Sequence, residues 1–415
     1  MKILIVTQYF WPETFRINDL AVSLTNRGNQ VTVLTGIPNY PKGKFFYGYS
    51  WFNKVFENYQ GVEIIRVPIF PRGDSSKLRL ILNYLSYLVS ASILGPLFCR
   101  KKFDIILVFQ LSPVTSALPA IFLKKLKNAS LFLWVQDLWP DSVDAVGAIN
   151  SKSKIFFLIG KLVGFIYSKS DRILIQSKAF ENSIKEYVGK NKKIHYFPNT
   201  AEKIYKPISN NKKLPEYNTL PKGFIVMFAG NIGVAQDFAT ILKTADIIKN
   251  KKRLPEIKWV ILGDGSEKNR IEKNILQANL SDVFYLLGEF PIEKMPIFFS
   301  LADVLLVTLK KDPVFKLTIP SKIPSYMACA KPIIASIQGE GAKLISESGA
   351  GITCDSEDPN ALALALLEIY EMPYKKRGNM GKSGRKYFLE NLDGDMLISR
   401  LENWMIDEIK NKQPL

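Results

Sequence analysis

Short apolar runs recur along the chain and alternate with stretches whose apolar positions lie three and four residues apart. The first run is Lys2–Val6, residues 19–28 then have helical spacing and end at a glycine, and residues 30–34 are apolar again. Such runs are typical of strands buried on both faces. A strand, a helix and a strand in this order join parallel strands, whose ligands bind beyond the strands' carboxyl ends.

The same alternation continues to the middle of the chain. Further strands are predicted at residues 103–109, Ser130–Val135, 172–177 and 193–197. His195 lies inside the last of these patterns, so we interpret it as a packed residue rather than a catalyst.

A polar segment interrupts the pattern at residues 201–223, which are rich in Lys, Asn and Pro, as is typical of a linker. Beyond it, strands are predicted at Phe224–Ala229, 259–262, 283–287, 304–309 and 332–335. A chain of 415 residues is too long for one ordinary core. We therefore predict an α/β protein with two Rossmann-like, doubly wound domains and an interdomain cleft, where ligands commonly bind. The predicted bounds are 1–199 for the first domain, 200–222 for a linker, 223–395 for the second domain and 396–415 for a C-terminal helix.

The rarer residue types exclude several kinds of site. Cys99, Cys329 and Cys354 are scattered and odd in number, so they predict neither a disulfide framework nor a metal site, and they fit a reducing compartment. With a single histidine in the sequence, a histidine pair, a histidine metal site and a Ser-His-Asp triad are all excluded.

The net charge of +18 predicts an anionic partner: nucleic acid, an acidic membrane surface or a phosphorylated substrate. The lysines are spread along the chain, and no RNA- or DNA-binding motif accompanies them, so we expect no nucleic acid.

Three basic and apolar segments bear on the membrane alternative. Residues 78–98 are long enough to span a bilayer, which takes about 20 residues. Arg79 and Asn83 interrupt this run and Pro96 is expected to break its far end, which favours a buried or interfacial helix. Residues 124–127 and 152–161 mix lysines with apolar residues. Such segments lie on anionic lipid or are ordinary amphipathic helices with solvated lysines.

Polar loops follow the predicted strands of the first domain, at residues 36–43 and 136–141. Their polar and aromatic members include Asn39, Tyr40, Asp137, Trp139 and Asp141. Two carboxylates and an indole thus share the second loop, which is a candidate reaction site. The alternative is that both aspartates only cap the next helix.

Glycines follow the predicted strands of the second domain at equivalent positions. They are Gly230, Gly233, Gly263, Gly265 and Gly288. Glycine also serves ordinary turns, but together these positions let a ligand approach the backbone, and the amides beside Gly233 are predicted to hold phosphate. The sequence has no P-loop, and neither domain opens with Gly-x-Gly-x-x-Gly.

Residues 318–336 carry the strongest candidate. A polar loop at 310–317 leads to a helix that should begin near Ser321, because serine is a good N-cap and Pro324 is tolerated only in a first turn. Lys322 would then stand beside free N–H groups, an arrangement that suits a diphosphate. The alternative is an ordinary lysine on an exposed helix end.

Taken together, these residues resemble a family-four glycosyltransferase with the GT-B fold, over nearly the whole chain. The motifs that carry the resemblance are Phe228-Ala-Gly-Asn231, Gly263-Asp-Gly265, Leu287-Gly288 and Tyr326-Met-Ala-Cys-Ala-Lys-Pro-Ile-Ile-Ala-Ser336. Pro38-Asn-Tyr-Pro41, Gln136-Asp-Leu-Trp-Pro140 and Thr318-Ile-Pro-Ser-Lys322 more narrowly resemble bacterial enzymes of O-antigen, capsule and colanic-acid assembly. Those enzymes include N-acetyl-L-fucosamine transferases.

The resemblance implies a retaining transfer from a nucleotide sugar, usually UDP-linked, without a metal or another cofactor. The donor is expected on the second domain and the acceptor, an undecaprenyl-diphosphate-linked saccharide, on the first. The last helix is expected to cross back to the first domain. A cytoplasmic enzyme at the inner face of the plasma membrane follows from this likeness.

The chain departs from the family pattern at several positions. The usual pair of glutamates falls on Leu317 and Ser325, which leaves Ser325 as a weaker candidate for the donor ribose. The usual arginine and lysine of the second domain fall on Asn231 and Gln236, so Lys322 is expected to meet the diphosphate charge.

Two further departures lie in the first domain. The common catalytic-loop histidine falls on Gln136, which leaves Asp137 to match, and Thr14-Phe15-Arg16 replaces the glycine pair of the first loop.

The resulting hypothesis assigns residues to three roles. The catalytic candidates are Asp137, Lys322 and Glu13. The donor-binding candidates are Gly230, Asn231, Gly233, Gly263, Gly265, Gly288, Phe290, Ser321, Lys322, Ser325 and Arg16. The acceptor-side candidates are Asn39, Tyr40, Trp139 and Asp141, and no metal ligand is predicted. The alternatives are a UDP-sugar 2-epimerase of the same fold, which needs histidines that this chain lacks, and a non-enzymatic basic protein of the membrane surface.

Overall fold

A computed structural model of the chain describes residues 1–74, 76–142, 152–209, 214–250 and 256–412. It divides into two compact units. The first comprises Met1–Pro198 and Asp395–Leu415, and the second comprises Asn199–Gly394.

The first unit contains an eight-stranded sheet in the order β3-β4-β2-β1-β5-β6-β7-β8. Its strands are β1 Lys2–Val6, β2 Gln30–Gly36, β3 Phe56–Tyr59, β4 Val62–Val67, β5 Ile105–Gln110, β6 Ser130–Val135, β7 Arg172–Ile175 and β8 Ile194–Tyr196. The helices around it are Arg16–Asn26, Lys77–Phe98, Leu118–Lys127, Lys154–Lys169, Phe180–Val188 and Gly394–Lys412. Only β3 runs antiparallel to its neighbour, and the order reverses between β1 and β5.

The edge hairpin β3–β4 is absent from the sequence prediction. Its two-residue turn is Gln60-Gly61, and both residues have positive φ, 50° and 85°. This is the geometry of a type I′ hairpin turn, which Asn-Gly or Asp-Gly usually announces. Because glutamine rarely occupies the first of these positions, the pattern gave no signal, and the loop that follows β4 went unnoticed.

The helix Lys77–Phe98 lies with one side on the sheet and one side outward. Tyr87, Ala91 and Gly95 are buried, and the Tyr87 hydroxyl donates to the Leu34 carbonyl at 3.2 Å. By length and composition alone it would suffice to cross a bilayer. Only 22% of its most apolar window is buried, so it is not a typical core helix. The expected break at Pro96 is wrong, because the helix runs through this proline to its end at Phe98. Pro96 forgoes only its own bond to the Ser92 carbonyl, and the last turn still closes, because the Cys99 amide donates to the Gly95 carbonyl at 2.8 Å.

The second unit contains a fully parallel six-stranded sheet in the order β11-β10-β9-β12-β13-β14. Its strands are β9 Phe224–Ala229, β10 Ile257–Leu262, β11 Phe284–Gly288, β12 Val304–Thr308, β13 Ile333–Ser336 and β14 Gly351–Cys354. Its helices are Phe238–Lys249, Lys268–Gln277, Met295–Leu301, Pro313–Leu317, Lys322–Ala328, Glu340–Ser348, Pro359–Glu371 and Tyr374–Asn391. This is the strand order of a dinucleotide-type sheet, with its switch point between β9 and β12.

Two elements of this unit differ from the prediction. The segment expected to be a polar loop contains the short helix Pro313–Leu317, which Asp312 caps by accepting from the Val314 amide at 2.8 Å. Strand β14 was not predicted at all. Its residues are only half-buried at the sheet edge, so its apolar signal is weak.

The C-terminal helix Gly394–Lys412 belongs to the first unit. Leu397, Leu401 and Met405 are buried in the apolar cluster that includes the first strands of the chain. Ion pairs fasten its polar side, among them one between Arg27 and Glu402 at 3.0 Å and one between Arg172 and Glu408 at 2.7 Å.

Candidate functional site

Glu13 lies in the loop that follows β1 and is almost fully buried. Its Oε1 accepts from the backbone amides of Asn39 and Tyr40, both at 2.7 Å, and its Oε2 accepts from the Phe10 amide at 3.2 Å. Burial raises the pKa of Glu13 to about 7, although the three amides act in the opposite direction. The carboxylate thus joins the loops after β1 and β2, a bracing position rather than that of a base facing substrate.

The two residues that Glu13 holds differ in exposure. Asn39 is fully buried, and its side chain bonds to the Ile37 carbonyl and to the Arg72 amide, both at 3.0 Å. The polar atoms of Asn39 are thus bonded within the loops, and its acceptor-side role stays a prediction. Tyr40 is 38% exposed and its ring is tilted against those of Tyr9 and Phe15.

Asp137 follows β6 and lies beside the loop that follows β5. Its Oδ2 accepts from the Ser112 hydroxyl at 3.1 Å, and burial raises its pKa. Trp139 donates from Nε1 to the same Ser112 oxygen at 3.0 Å and is itself 9% exposed. The indole is therefore not an open stacking surface. It fixes the serine that holds the aspartate.

Arg72 and Tyr84 complete this edge of the sheet. The Arg72 guanidinium receives no carboxylate partner within 4 Å in the described part of the chain, and its Nη1 donates to the Tyr9 hydroxyl at 2.9 Å. The charges of Arg72 and Asp137 both act on the pKa of Tyr84, which burial raises. The loops after β1, β2, β4 and β6 and the helix Lys77–Phe98 thus bring together Tyr9, Tyr40, Arg72, Tyr84 and Asp137.

Three predicted or considered residues lie elsewhere in the first unit. Asp141 is exposed, and its charge helps to raise the pKa values of Tyr167 and Tyr187, so it faces the helices that carry those tyrosines. Arg16 begins the first helix. His195 stacks on Trp404 with ring centroids 4.5 Å apart, which confirms that it is a packed residue.

The glycine turns of the second unit adjoin one another at the carboxyl edge of its sheet. A Cβ on Gly263 would lie 2.0 Å from the Gly230 carbonyl oxygen, and one on Gly265 would lie 2.3 Å from the Ile232 carbonyl oxygen. Gly230 and Gly263 also have φ of 127° and 136°, which other residues rarely adopt. Glycine is required at these turns by backbone packing.

The backbone amides of these turns are largely used inside the protein. Gly230 N donates to the Leu262 carbonyl and Ile232 N to the Asp264 carbonyl, each at 2.8 Å. Gly233 N donates to the side-chain oxygen of Gln236 at 3.1 Å. The glutamine that stands where the family has a basic residue thus occupies the Gly233 amide, and the prediction that amides beside Gly233 hold phosphate stays a prediction.

Lys322 lies against the first of these turns. A Cβ on Gly230 would stand 2.8 Å from Lys322 Cε, and the Lys322 Nζ lies 3.4 Å from the centroid of the Phe228 ring. Burial lowers the pKa of Lys322 well below its ordinary value. The structure therefore brings Lys322, Gly230 and Asn231 together at the end of β9, next to the switch point of the sheet.

The helix that begins with Lys322 has only seven residues. Ser321 precedes it in helical geometry, and its side chain does not cap the helix, so the predicted N-cap is wrong. Ser325 is 6% exposed and donates to the Ser321 carbonyl at 3.5 Å, so its hydroxyl is turned onto its own helix, and its contact with the donor ribose stays a prediction. Phe290 follows Gly288 and packs against Phe298, with ring centroids 4.5 Å apart.

Sequence reasoning missed Tyr9, Arg72, Tyr84 and Ser112. Arg72 was missed because its loop follows the unpredicted strand β4. Ser112 had a usable signal, since it comes two residues after the end of β5 and parallel strands end at one edge of the sheet.

The cysteines carry no site. Cys99 and Cys329 are buried and Cys354 is partly exposed, and all three are free thiols. Among the residues that the structure describes, no three His, Cys, Asp or Glu side chains are grouped so as to hold a metal ion.

Two family profiles match the chain, one on each unit. The profile "Glycosyl transferase 4-like domain" matches residues 14–200, and the profile "Glycosyl transferases group 1" matches residues 209–387.

Curated relatives extend the likeness over most of the chain. The probable glycosyltransferase WbjE of Pseudomonas aeruginosa is 29% identical over 327 residues, which cover 76% of this chain and 78% of that protein. The putative colanic acid biosynthesis glycosyl transferase WcaI of Escherichia coli K12 is 22% identical, over 97% of this chain and 99% of that protein.

Solved structures share the fold. Sucrose-phosphate synthase from Thermosynechococcus elongatus superposes with a TM-score of 0.77 at 16% identity, over 98% of both chains. HepE (Alr3699) of Anabaena, in complex with UDP-glucose, superposes with a TM-score of 0.69 at 13% identity, over 98% of this chain and all of that one. At such identities the likeness concerns the fold alone.

Proposed function

Because the chain belongs to the group 1 glycosyltransferases of family four and has the GT-B fold, we propose that it transfers a sugar from a UDP-sugar to a lipid-linked saccharide, with retention, in the assembly of a bacterial surface polysaccharide. UDP-N-acetyl-L-fucosamine is one donor candidate. The relative WbjE supports the activity, the relative WcaI, named for colanic acid biosynthesis, supports the pathway, and UDP-glucose bound to HepE supports the class of donor.

The observation that carries the proposal is the contact between Lys322 and the Gly230 turn at the end of β9. Ligands of open α/β sheets bind outside the carboxyl ends of the strands at the switch point, and here the order reverses between β9 and β12. A lysine at this edge would meet the donor diphosphate as a point charge.

The proposed reaction breaks the bond between the anomeric carbon and the diphosphate oxygen, and UDP leaves with the electron pair. The acceptor hydroxyl oxygen then bonds to the same face of the sugar. Lys322 would stabilise the charge that grows on the leaving diphosphate. Asp137, held by Ser112 and of raised pKa, would orient the acceptor hydroxyl and receive its proton. Glu13 takes no part in the chemistry proposed here, because its carboxylate braces two loops.

A donor screen tests the function directly. The purified full chain is heated with UDP, UDP-sugars and, as the comparison, GDP- and ADP-sugars. One UDP-sugar should raise the melting temperature most, because ligand binding to the folded state alone stabilises it by mass action. The same UDP-sugar should then be consumed only when a lipid-linked acceptor is supplied. Equal stabilisation by all nucleotides, or none by any, would contradict the proposal.

The membrane part of the proposal depends on three helices of the first unit. The helix Lys77–Phe98 packs along Leu118–Lys127, which in turn contacts Lys154–Lys169. Their exposed apolar side chains are Leu78, Ile81, Leu82, Leu85, Val89, Ile93, Leu97, Phe122, Leu126, Ile155, Phe157, Leu158 and Phe165. We name this set the three-helix face.

Basic residues lie on or beside the helices of the three-helix face. They are Lys77, Arg79, Arg100, Lys101, Lys102, Lys124, Lys125, Lys127, Lys154, Lys161 and Lys169. Apolar side chains that enter the boundary of the acyl chains and cations that meet anionic headgroups are the two contributions that bind a protein to a membrane surface. The proposed location is therefore the inner face of the plasma membrane, in contact with anionic lipid.

Flotation with vesicles tests this contact. The chain should bind phosphatidylcholine vesicles that contain phosphatidylglycerol and bind plain phosphatidylcholine less. Leu85→Asp should lower the partition coefficient at least about tenfold, given about 1.5–3 kcal/mol for a buried leucine. Leu276→Asp is the matched control, since Leu276 is as exposed but lies in the second unit. Equal losses in the two variants would refute the assignment of this face.

The two alternatives lose their support. The only histidine in the sequence stacks on Trp404, which leaves an epimerase without its ionisable groups. The match of both units to glycosyltransferase profiles argues against a non-enzymatic protein of the membrane surface.

A further inference from the structure

Arg72 occupies an aromatic pocket that no part of the proposed reaction uses. Its guanidinium carbon lies 5.2 Å from the centroid of the Tyr40 ring and 5.9 Å from that of Tyr9. The Tyr9 ring in turn stacks on Phe15, with centroids 5.5 Å apart and planes at 20°. An arginine flanked by rings in this way is oriented, because the planar guanidinium packs on their faces.

The charge of Arg72 is not neutralised inside the protein. Within the described ranges, none of the ion pairs involves it, and its side-chain hydrogen bonds go to neutral tyrosine hydroxyls, that of Tyr9 at 2.9 Å and that of Tyr84. The guanidinium has five N–H donors, so most of them remain for an external partner. The side chain is only partly exposed, and the groups around it are ring faces and neutral hydroxyls, so an anionic ligand would supply the countercharge that the described residues do not.

The loop that carries Arg72 is fastened to the helix of the three-helix face. Asn83 is fully buried, donates to the Phe70 carbonyl at 2.6 Å and accepts from the Gln8 side chain at 2.7 Å. The Ser86 hydroxyl accepts from the Phe70 amide at 2.9 Å. Asn83, a polar interruption of an otherwise apolar helix, therefore fixes the cation at the margin of the apolar surface.

The same helix also reaches the reaction site. Tyr84 follows Asn83 and is partly exposed, and its hydroxyl lies near enough to both Arg72 and Asp137 to feel their charges. The outward apolar side of this helix, Arg72, Tyr84 and Asp137 thus belong to one region of the first unit. A hydrocarbon chain, an anionic group and a sugar hydroxyl joined in one molecule would match these three kinds of surroundings.

We propose that Arg72 binds the diphosphate of a prenyl-diphosphate-linked acceptor, with the prenyl chain against the outward side of Lys77–Phe98 and the sugar directed to Asp137. This rests on the proposed function, for which it names the acceptor subsite. Arginine suits the role because its planar guanidinium can donate two parallel hydrogen bonds to phosphate oxygens. Arg72 is thus a positioning residue for the lipid-linked acceptor.

Binding of short soluble probes tests the subsite without knowledge of the acceptor sugar. The full chain is titrated with farnesyl diphosphate, farnesol, inorganic diphosphate and a short-chain phosphatidylglycerol below its micelle concentration. Farnesyl diphosphate should bind at least about tenfold more tightly than farnesol, since a charged hydrogen bond is worth about one decade or more. Phosphatidylglycerol should resemble farnesol, because it offers a single diester charge.

The variants identify the group responsible. Arg72→Gln should remove the preference for farnesyl diphosphate over farnesol, and Arg72→Lys should keep only part of it. Arg400→Gln makes the same change of charge on an exposed arginine of the C-terminal helix and should leave the preference intact. Tyr9→Phe, which deletes only the hydroxyl that orients the guanidinium, should weaken the preference about threefold to tenfold.

Thermal stabilisation by UDP is measured on every variant as the check on folding and on the donor site. If Arg72→Gln loses this response, Tyr9→Phe and Arg72→Lys decide the question. An Arg72→Gln variant that still prefers the diphosphate, a wild type without that preference, or equal binding of phosphatidylglycerol would each overturn the subsite. Absence of any UDP response in the wild type would instead count against the proposed function, so the two failures are distinguishable.

Discussion

Replacing Lys322 by methionine separates what this residue does for the fold from what it does for the reaction. Methionine has nearly the same length, carries no charge and packs well on an aromatic ring such as Phe228. The Lys322 ammonium lies 3.4 Å from the centroid of that ring, and burial lowers its pKa well below the ordinary value of 10.5. The depressed pKa means that burial disfavours the charged form of Lys322. Lys322→Met should therefore remove this unfavourable contribution to the free energy of folding of the unliganded protein.

The size of the effect follows from two opposing contributions. Contact with the face of Phe228 stabilises the cation by about 0.5–2 kcal/mol. Removing the ammonium from water costs several kcal/mol even after relaxation, as a general order of magnitude. We expect the free energy of unfolding of Lys322→Met to exceed that of the wild type by about 1–2 kcal/mol, the surplus of the second contribution over the first.

The pH dependence has a definite sign. The folded protein binds the Lys322 proton more weakly than the unfolded chain, so raising the pH stabilises the wild type relative to the variant. The advantage of Lys322→Met should be largest at neutral pH and should shrink as the pH approaches 10.5, the ordinary value, where the unfolded lysine also loses its proton. A bound diphosphate would restore the charge of Lys322, so UDP binding should take up protons.

Urea unfolding at several pH values, calorimetry of UDP binding in buffers of different ionisation enthalpy, and turnover measure these effects together. Turnover of Lys322→Met should fall about 10²–10³-fold, as is usual when a group that stabilises the leaving charge is removed. Lys273→Met changes an exposed lysine of the same unit and should alter neither stability nor turnover. A Lys322→Met variant that is destabilised, or that retains a third of the wild-type turnover, would refute the reasoning.

Three further predictions follow from the geometry. Glu13→Gln should lower the free energy of unfolding by about 1–3 kcal/mol, measured in urea, because an N–H donor then faces a backbone amide. Burial raises the pKa of Glu13 to about 7 in the folded protein. The stability of the wild type relative to this variant should therefore be greatest below pH 4.5 and decline as the pH rises through 7. Gly263→Ala should lower the free energy of unfolding, measured by thermal unfolding, by at least about 2 kcal/mol, because φ at this residue is 136° and the new Cβ would lie 2.0 Å from a carbonyl oxygen. Gly378→Ala should instead raise it by up to about 1 kcal/mol, because this glycine has open space and an ordinary helical backbone. Asp137→Asn should lower turnover about 10²-fold or more while stabilisation by UDP-sugar is unchanged, since it alters only the group that receives the acceptor proton.

Each of these has an outcome that contradicts it. A Glu13→Gln variant as stable as the wild type at all pH values would mean that the carboxylate does not brace the loops. Equal effects of the two glycine changes would mean that the close backbone approach is relieved at no cost. An Asp137→Asn variant with full turnover would remove that residue from the mechanism.

Much of the fold was predictable because its parallel strands are buried on both faces. Ser130–Val135 and Phe224–Ala229 begin and end where their apolar runs do, since every position of these strands is buried. The β3–β4 hairpin was not predictable in this way, because its pattern is mixed and its turn is Gln-Gly.

The candidate site was predictable in outline and not in detail. Asp137 and Lys322 come directly after strands or open a helix beside one, so chain order alone puts them at a sheet edge. The role of the Gly233 amide was not predictable, because it depends on where the Gln236 side chain folds back. Arg72 was beyond reach because the tyrosines that orient it come from three distant stretches of sequence.

The C-terminal helix Gly394–Lys412 imposes an order on biosynthesis. A ribosome releases the residues that complete the apolar cluster around Leu401 and Met405 only after the entire second unit has been made. Until then the apolar surface of residues 1–198 that this helix covers stays exposed. The second unit, which is contiguous in sequence, can fold before the first unit is complete. A fragment of residues 199–394 should accordingly be soluble, whereas a fragment of residues 1–198 should tend to aggregate.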